Sequence, residues 1–204
     1  MIAIVDYGVG NLFSLKSSLS MIGADAIVTG NAEDLRAADK IILPGVGAFE
    51  DAAKKLRATG LDQVVIEQAK AGKPLLGICL GMQMLFDRSF EYGDHRGLGL
   101  IAGDVIDMRP QIPENLKVPH IGWNALKFTQ PVHPLFRYIN EGDSVYFVHS
   151  YYAANCDAAT IATTEYGAEL TAAVASGNVV GCQFHPEKSG KVGLNILRAF
   201  CEQT

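Results

Sequence analysis

A membrane-spanning helix needs roughly 20 consecutive apolar residues, and no stretch of this 204-residue chain supplies them. Basic charge is also scarce, with 17 Lys and Arg against 22 Asp and Glu and a net charge of −5. A nucleic-acid binder shows a basic face and an anionic membrane surface attracts basic clusters, so neither partner is expected. The opening "MIAIVDYGVGN" lacks a basic segment and meets Asp6 almost at once, so no signal peptide is expected. Of the four cysteines (Cys79, Cys156, Cys182 and Cys201) no two form a C-x-x-C pair. Zinc-ribbon and thioredoxin-like chemistry is therefore not indicated, and no metal or other cofactor is expected. The expected setting is the cytoplasm, with reduced thiols, and Cys156, Cys182 and Cys201 read as buried structural residues. Internal repeats, low-complexity tracts and linkers are missing too. Residues 1–204 therefore read as one domain, large enough and, at 49% hydrophobic, apolar enough to bury a substantial core.

What is present is alternation. Apolar strand-like runs occupy Ile2–Gly8, Asp25–Gly30, Lys40–Gly45 and Pro74–Cys79. Helix-like segments lie between them at Asn11–Ile22, Ala32–Ala38 and Ala48–Ala71, the last broken at Gly60. Such alternation predicts right-handed crossovers and a mostly parallel sheet flanked by helices, an α/β fold. Near-continuous apolarity of the strands fits a sheet covered on both faces. From about Asp104 onward, short runs such as "GDVIDM", "WNALKF", "SVYFVHSYY", "TIATTEYG", "LTAAVASGN" and "NVVGCQFHPE" predict an antiparallel extension or second sheet. A closing helix is predicted over Gly190–Glu202 with Ser189 as its N-cap.

Gly77-Ile78-Cys79-Leu80-Gly81 is a G-x-C-x-G sequence placed where an apolar strand gives way to a helix. It is the cysteine form of a nucleophile elbow, a sharp turn that lifts the reactive side chain off the sheet. A helix N-terminus aimed at the sulfur favours the thiolate, and its free N–H groups can hold an oxyanion. The alternative is a glycine-flanked core cysteine. A cysteine nucleophile needs a base and an orienting group. Among five histidines, His95 and His133 read as surface or turn residues, and His120 and His149 lie in apolar settings as core or interface residues. His185 differs, since it follows an apolar run and Glu187 stands two residues on. On extended backbone, residues i and i+2 face the same way, and a carboxylate beside an imidazole fixes its tautomer and stabilises its charged form.

"PLLGICLGMQ" together with the late "HPE" resembles the class I (triad) glutamine amidotransferases over nearly the whole chain. The finer resemblance is to the family of glutaminase subunits of imidazole glycerol phosphate synthase, in histidine biosynthesis. It is carried by "DYGVGNLFS", "LPGVGAF" (Leu43–Phe49), "KVPHIGWN" (Lys117–Asn124), "YFVHSYY" (Tyr146–Tyr152) and "GCQFHPEKSG" (Gly181–Gly190). The resemblance implies that Cys79 attacks the glutamine side-chain amide, His185 relays protons and Glu187 orients His185. It places the oxyanion on the Leu80 N–H and on the Pro44–Gly47 loop at Val46 and Gly47, a loop that must reorient to complete the hole. Gln83, Glu91 and Ser150 are implied as glutamine-binding residues.

It further implies a partner, a (β/α)8-barrel cyclase that takes up the ammonia in a heterodimer. Such a barrel takes ~250 residues, more than this chain holds, so a separate subunit is expected. Asn11, Trp123, Tyr146 and Lys188 are the candidate interface residues; for Trp123 the alternative is a core position. Rival readings are the glutaminase of pyridoxal phosphate synthesis, whose family carries Gly-Gly-Glu-Ser where Pro44-Gly45-Val46-Gly47 stands here, a free-standing cysteine peptidase or hydrolase, and a scaffold without activity. Gly8-Val9-Gly10 resembles a dinucleotide-binding loop, but Phe13 occupies the place of the third glycine, so the fingerprint fails.

Overall fold

The computed structural model describes residues 1–203. Strands β1 (Ile2–Val5), β2 (Ala26–Thr29), β3 (Lys40–Gly45) and β4 (Leu75–Cys79) form the parallel part of a sheet. Helices α1 (Leu12–Met21), α2 (Ala32–Ala37), α3 (Phe49–Ala58) and α4 (Leu61–Lys70) make the crossovers. Local chemistry agrees with these elements. The Asn31 side chain accepts from the Glu33 N–H at 2.8 Å and so caps α2. Helix α3 carries Glu50 and Asp51 in its first turn and Lys55 and Arg57 in its last, complementing its dipole. Gly60, at φ 71°, takes the left-handed conformation that separates α3 from α4, as its position in the sequence suggests.

Period-two alternation sorts the strand side chains onto two faces. Ala3, Val5, Ile41, Leu43 and Leu75 pack with Leu35 of α2, Phe49 and Leu56 of α3 and Val65 of α4. Ile2, Ile4, Ile42, Leu76 and Ile78 pack on the opposite face with Leu15 and Leu19 of α1. That second face is completed by the closing helix, numbered α6 after the short α5 described next and spanning Gly190–Cys201, through Ile196, Leu197 and Phe200. Burial on both faces explains why the strands read as unbroken apolar runs.

The second half divides in a way the sequence did not show. After β4 comes α5, a helix of only five residues (Leu80–Met84), buried throughout. Three short strands follow, β5 (Phe86–Ser89), β6 (His95–Arg96) and β7 (Ile101–Asp107). Next come β8 (His120–Ala125), β9 (Lys127–Phe128), β10 (Ser144–His149), β11 (Tyr151–Ala154), β12 (Thr160–Glu165), β13 (Glu169–Ser176) and β14 (Val179–Cys182). Both expected arrangements occur together. The main sheet runs β2-β1-β3-β4-β14-β13-β12-β9, with β13, β12 and β9 as its antiparallel extension. Two smaller sheets, β10-β8 and β11-β7-β5-β6, are separate.

Several expectations need correction. The apolar stretch Ser144–Tyr152 is not one strand; it breaks at Ser150, where the chain leaves one small sheet for the other. Strand β14 is not part of an antiparallel set alone. It pairs parallel to β4, with Gly181 opposite Gly77 and Cys182 opposite Ile78. A hairpin to β13 is local and visible in sequence, whereas the insertion beside β4 joins residues about half the chain apart. Ser189 stands at the N-cap of α6 without capping it: its hydroxyl donates to the His185 carbonyl at 2.6 Å and accepts from the Tyr146 N–H at 2.9 Å. Cys156 and Cys182 are buried and Cys201 is half-buried, all three free thiols. Among the described residues no helix is long and apolar enough to cross a membrane.

The tightest approach in this fold lies between β3 and α5. A Cβ on Gly81 would stand 1.8 Å from the Leu43 carbonyl oxygen, a backbone atom that cannot move aside alone. Gly81→Ala should therefore destabilise the fold by ~3 kcal/mol or more. A fall in the urea midpoint checks this; an unchanged midpoint would show that β3 and α5 can separate.

Candidate active site

The cysteine expected to be a nucleophile sits at the junction of β4 and α5, with φ 54° and ψ −111°. Such a conformation in a non-glycine residue costs on the order of 1–3 kcal/mol and persists only where surrounding structure enforces it. The enforcement is glycine packing. A Cβ on Gly77 would meet the Gly81 carbonyl and the Met82 backbone at 2.8 Å, and one on Gly45 would meet the Gly81 nitrogen at 2.8 Å. The turn is thus clamped on both sides by backbone, and the Cys79 side chain is directed to the C-terminal end of the sheet. Gly45 pairs in register with Cys79, so the Val46–Gly47 loop begins directly beside the sulfur. The buried Tyr7 hydroxyl donates to the Pro44 carbonyl at 2.7 Å and fixes the loop's entry. Gly47 has φ 93° and Val46 is exposed.

His185 follows β14, the strand beside β4, and Pro186–Lys188 form one 3-10 turn. His185 Nδ1 and Glu187 Oε1 are 2.8 Å apart, both side chains nearly inaccessible to solvent. The pair was expected from extended backbone. It arises instead from the turn: Pro186 at its first position fixes the helical φ and brings the carboxylate back beneath the ring. Nε2, the other ring nitrogen, has no hydrogen-bond partner, and neither does Glu187 Oε2. Burial pulls the imidazole pKa down, but the nearby Cys79 sulfur and Glu187 carboxylate more than offset it and raise it to about 9.

A cleft of about 280 Å³ opens over the sulfur. Cys79, Leu80, His185, Val46, Gly47, Gln83, Glu91 and Ser150, all singled out in the sequence, line it together. Gln83 lies on α5 one turn after Cys79 and donates through Nε2 to the Tyr151 carbonyl (3.0 Å) and to Gln183 Oε1 (2.9 Å). Both its amide hydrogens are thereby committed, which leaves Oε1 as its free acceptor. Glu91 Oε2 accepts from the Phe49 N–H at 2.6 Å, capping the helix that follows the Val46–Gly47 loop. Burial raises its pKa against the opposing effect of that bond. Among the described residues no cluster of three or more His, Cys, Asp or Glu could hold a metal ion.

The four residues expected at an interface lie near this cleft or one step from it. Asn11 lines a small hollow with Gly45, His185 and Glu187. Trp123 is not a core residue; it is 55% exposed on β8, with the Tyr146 ring 6.0 Å away edge-on. Lys188 Nζ lies over the other part of this cluster, 5.7 Å from the Tyr146 centroid. Three residues were not anticipated here. Gln183 bridges Gln83 to Cys79, its Nε2 lying 3.7 Å from the sulfur. His149 and Pro119 line the cleft. Only the polarity of Gln183 and His149 at the ends of apolar strands hinted at a role.

Residues 3–204 match the family model described as glutamine amidotransferase class-I. The chain is 45% identical over 203 residues to the imidazole glycerol phosphate synthase subunit HisH of Lactococcus lactis, covering 99% of this chain and 98% of that one. It is 47% identical to the subunit of the same name from Caldanaerobacter subterraneus, again with 99% and 98% covered. A crystal structure of a glutamine amidotransferase superposes with a TM-score of 0.76 at 20% identity, over 99% of this chain and 98% of that one, a likeness of fold.

The His185 value sets a sign for pH dependence. A folded pKa of about 9 against about 6.5 unfolded gives stability that is complete below pH ~6.5 and lost as pH rises through about 9. Glu187→Gln should move the His185 midpoint, followed by NMR, down by about one pH unit or more. It should also flatten the alkaline loss of stability. An unmoved midpoint would mean that Glu187 does not hold the ring charged.

Proposed function

The chain belongs to the class I glutamine amidotransferases, as a glutaminase subunit of imidazole glycerol phosphate synthase, and we propose that Cys79, His185 and Glu187 are its catalytic triad. It hydrolyses glutamine and supplies ammonia for histidine biosynthesis, acting with a partner subunit. The observation that carries the triad reading is the buried 2.8 Å His185–Glu187 contact within the cleft that opens over the strained Cys79.

In this reading Sγ of Cys79 attacks the side-chain amide carbon of glutamine. Charge developing on the amide oxygen falls to the Leu80 N–H at the start of α5 and to an N–H of the Val46–Gly47 loop. His185, charged at neutral pH, gives its proton to the amide nitrogen as the C–N bond breaks, and ammonia leaves. The resulting thioester is attacked by water; His185 takes the water's proton and returns it to Sγ as glutamate departs. Glu187 keeps the ring oriented and its cationic form stable throughout. Gln83 Oε1 and Glu91 offer acceptors suited to the ammonium group of glutamine, and Ser150 offers polar backbone and side-chain groups at the cleft wall. Without one oxyanion donor the rate falls ~100-fold, about 3 kcal/mol, so the state of the Val46–Gly47 loop gates activity.

Free ammonia at neutral pH is mostly protonated and no longer a nucleophile, which favours direct transfer to the consuming site. We assign the partner as a (β/α)8-barrel cyclase that converts a phosphoribulosyl-formimino nucleotide into imidazole glycerol phosphate and an aminoimidazole carboxamide ribotide. Its contact would centre on Trp123, Tyr146 and Lys188. An exposed tryptophan beside a tyrosine and a lysine has the composition of an interface hot spot, and Lys188 adjoins Glu187 in the chain.

Glutamine hydrolysis measured for the chain alone, with a cyclase barrel, and with barrel plus nucleotide substrate tests this. Near-silence alone and a large rise in the full mixture are expected; full activity alone would remove the gating account. Cys79→Ala should abolish hydrolysis and keep partner binding. Trp123→Ala should weaken binding by roughly tenfold or more, and Lys188→Ala should reduce stimulation by the nucleotide. Unaltered binding and stimulation in those two variants would relocate the interface.

A further inference from the structure

A second row of polar groups, apart from His185 and Glu187, reaches Cys79. It starts on β8, where Asn124 Nδ2 donates to the Glu165 carbonyl (2.9 Å) and Asn124 Oδ1 lies 2.8 Å from His120 Nε2. His120 Nδ1 lies 3.0 Å from His149 Nε2, and His149 Nδ1 lies 2.9 Å from the Tyr151 carbonyl. That carbonyl also accepts from Gln83, which donates to Gln183, which donates to the sulfur of Cys79. The row thus runs without interruption from the strand carrying exposed Trp123 to the reacting atom. Both histidines are buried. Neither takes part in the chemistry derived above.

The carbonyl at the inner end fixes the protons. A carbonyl oxygen only accepts, so His149 must carry its hydrogen on Nδ1. Nε2 of the same neutral ring is then an acceptor, and a hydrogen between the rings can come only from Nδ1 of His120. The ring of His120 is held for this by stacking between Phe147, 5.1 Å away, and Tyr166, 4.0 Å away. A third contact, to Asn124 Oδ1, calls for one more proton than two neutral rings bring. Burial lowers the pKa of His120, and burial foremost, with His120 and His185 also lowering it, takes His149 to about 4. A neutral His120 fills only one of its two contacts; half-buried Asn124 can turn to solvent, whereas Nε2 of buried His149 has no other donor, so the unfilled contact is assigned to Asn124, next to Trp123.

We propose that His149 is a positioning residue for the glutaminase reaction, with His120 fixing its tautomer, and that together they tie the Trp123 strand to the Gln83–Gln183–Cys79 end of the cleft. The proposal rests on the assignment of Cys79 as nucleophile. Without the inter-ring hydrogen, His149 is free to turn its hydrogen away from Tyr151. The carbonyl then loses one of two donors, and the amide of Gln83, whose orientation decides which atom faces glutamine, loses its anchor.

Two measurements test this. The imidazole nitrogen NMR signals of the labelled chain at neutral pH should show both His120 and His149 in the Nδ1–H form; a His149 hydrogen on Nε2 would overturn the proposal without any variant. Glutamine hydrolysis is then compared for wild type, His120→Phe and His120→Asn, each with the cyclase subunit. Phe keeps the aromatic stack and removes the donor, whereas Asn returns an N–H at the Nδ1 position. A drop in kcat of tenfold or more is expected for His120→Phe, with partner affinity unchanged, and recovery of most of it for His120→Asn. Equal kcat in wild type and His120→Phe, or equal loss in both variants, would overturn it. A wild-type chain that hydrolyses no glutamine with its partner would instead refute the triad reading, and would leave the tautomer result standing.

Discussion

Backbone meets backbone where β3 passes α5, and the rest of the site depends on that contact. The Gly81 Cα and the Leu43 carbonyl are too close for any side chain between them. The approach sets Gly45 against the start of α5 and holds Cys79 at its positive φ of 54°. Without it, nothing would enforce the strained turn at Cys79. Glycine is usually discussed as a source of freedom. Here three glycines, Gly45, Gly77 and Gly81, serve rigidity by letting main chains touch.

On this frame the electrostatics are assembled from distant parts. The sulfur comes from β4, the imidazole from the turn after β14 and the cleft wall from the break at Ser150. Burial alone would discharge His185; the sulfur and Glu187 reverse that. Ser189 contributes as well, since its hydroxyl joins the His185 carbonyl to the Tyr146 N–H. His185 is thereby fastened to β10, the strand that bears a side chain of the exposed Trp123 cluster.

The first half of the fold could be read directly because its information is local. Apolar runs bounded by Gly8, Gly30 and Gly45, with helical segments between them, place β1 to β4 within a few residues. The G-x-C-x-G turn needs only its own five residues to be seen. The second half resisted because its strands are short and their partners remote. Nothing in "VVGC" states that it lies parallel to "LLGIC", beyond apolarity at every position. Phe86–Ser89 and His95–Arg96 are strands only because β7 is there to pair with β5. The pairing of His185 with Glu187 was legible, but for a different backbone reason: a 3-10 turn, not a strand, brings Glu187 to His185. Gln183 escaped notice because a lone polar residue just past an apolar strand has no spacing to betray it.

The order of the main sheet bears on how the molecule comes into being. Strand β14 lies between β4 and β13, yet it is the last strand made, and His185 follows Cys79 by more than half the chain. During synthesis the edge of β4 must wait, unpaired and apolar, while the two small sheets and the antiparallel extension are produced. Closing so long a loop is entropically slow and exposes sticky surface in the meantime. The same delay keeps Cys79 apart from His185 until the sheet is complete, so an unfinished chain holds the thiol without the imidazole beside it.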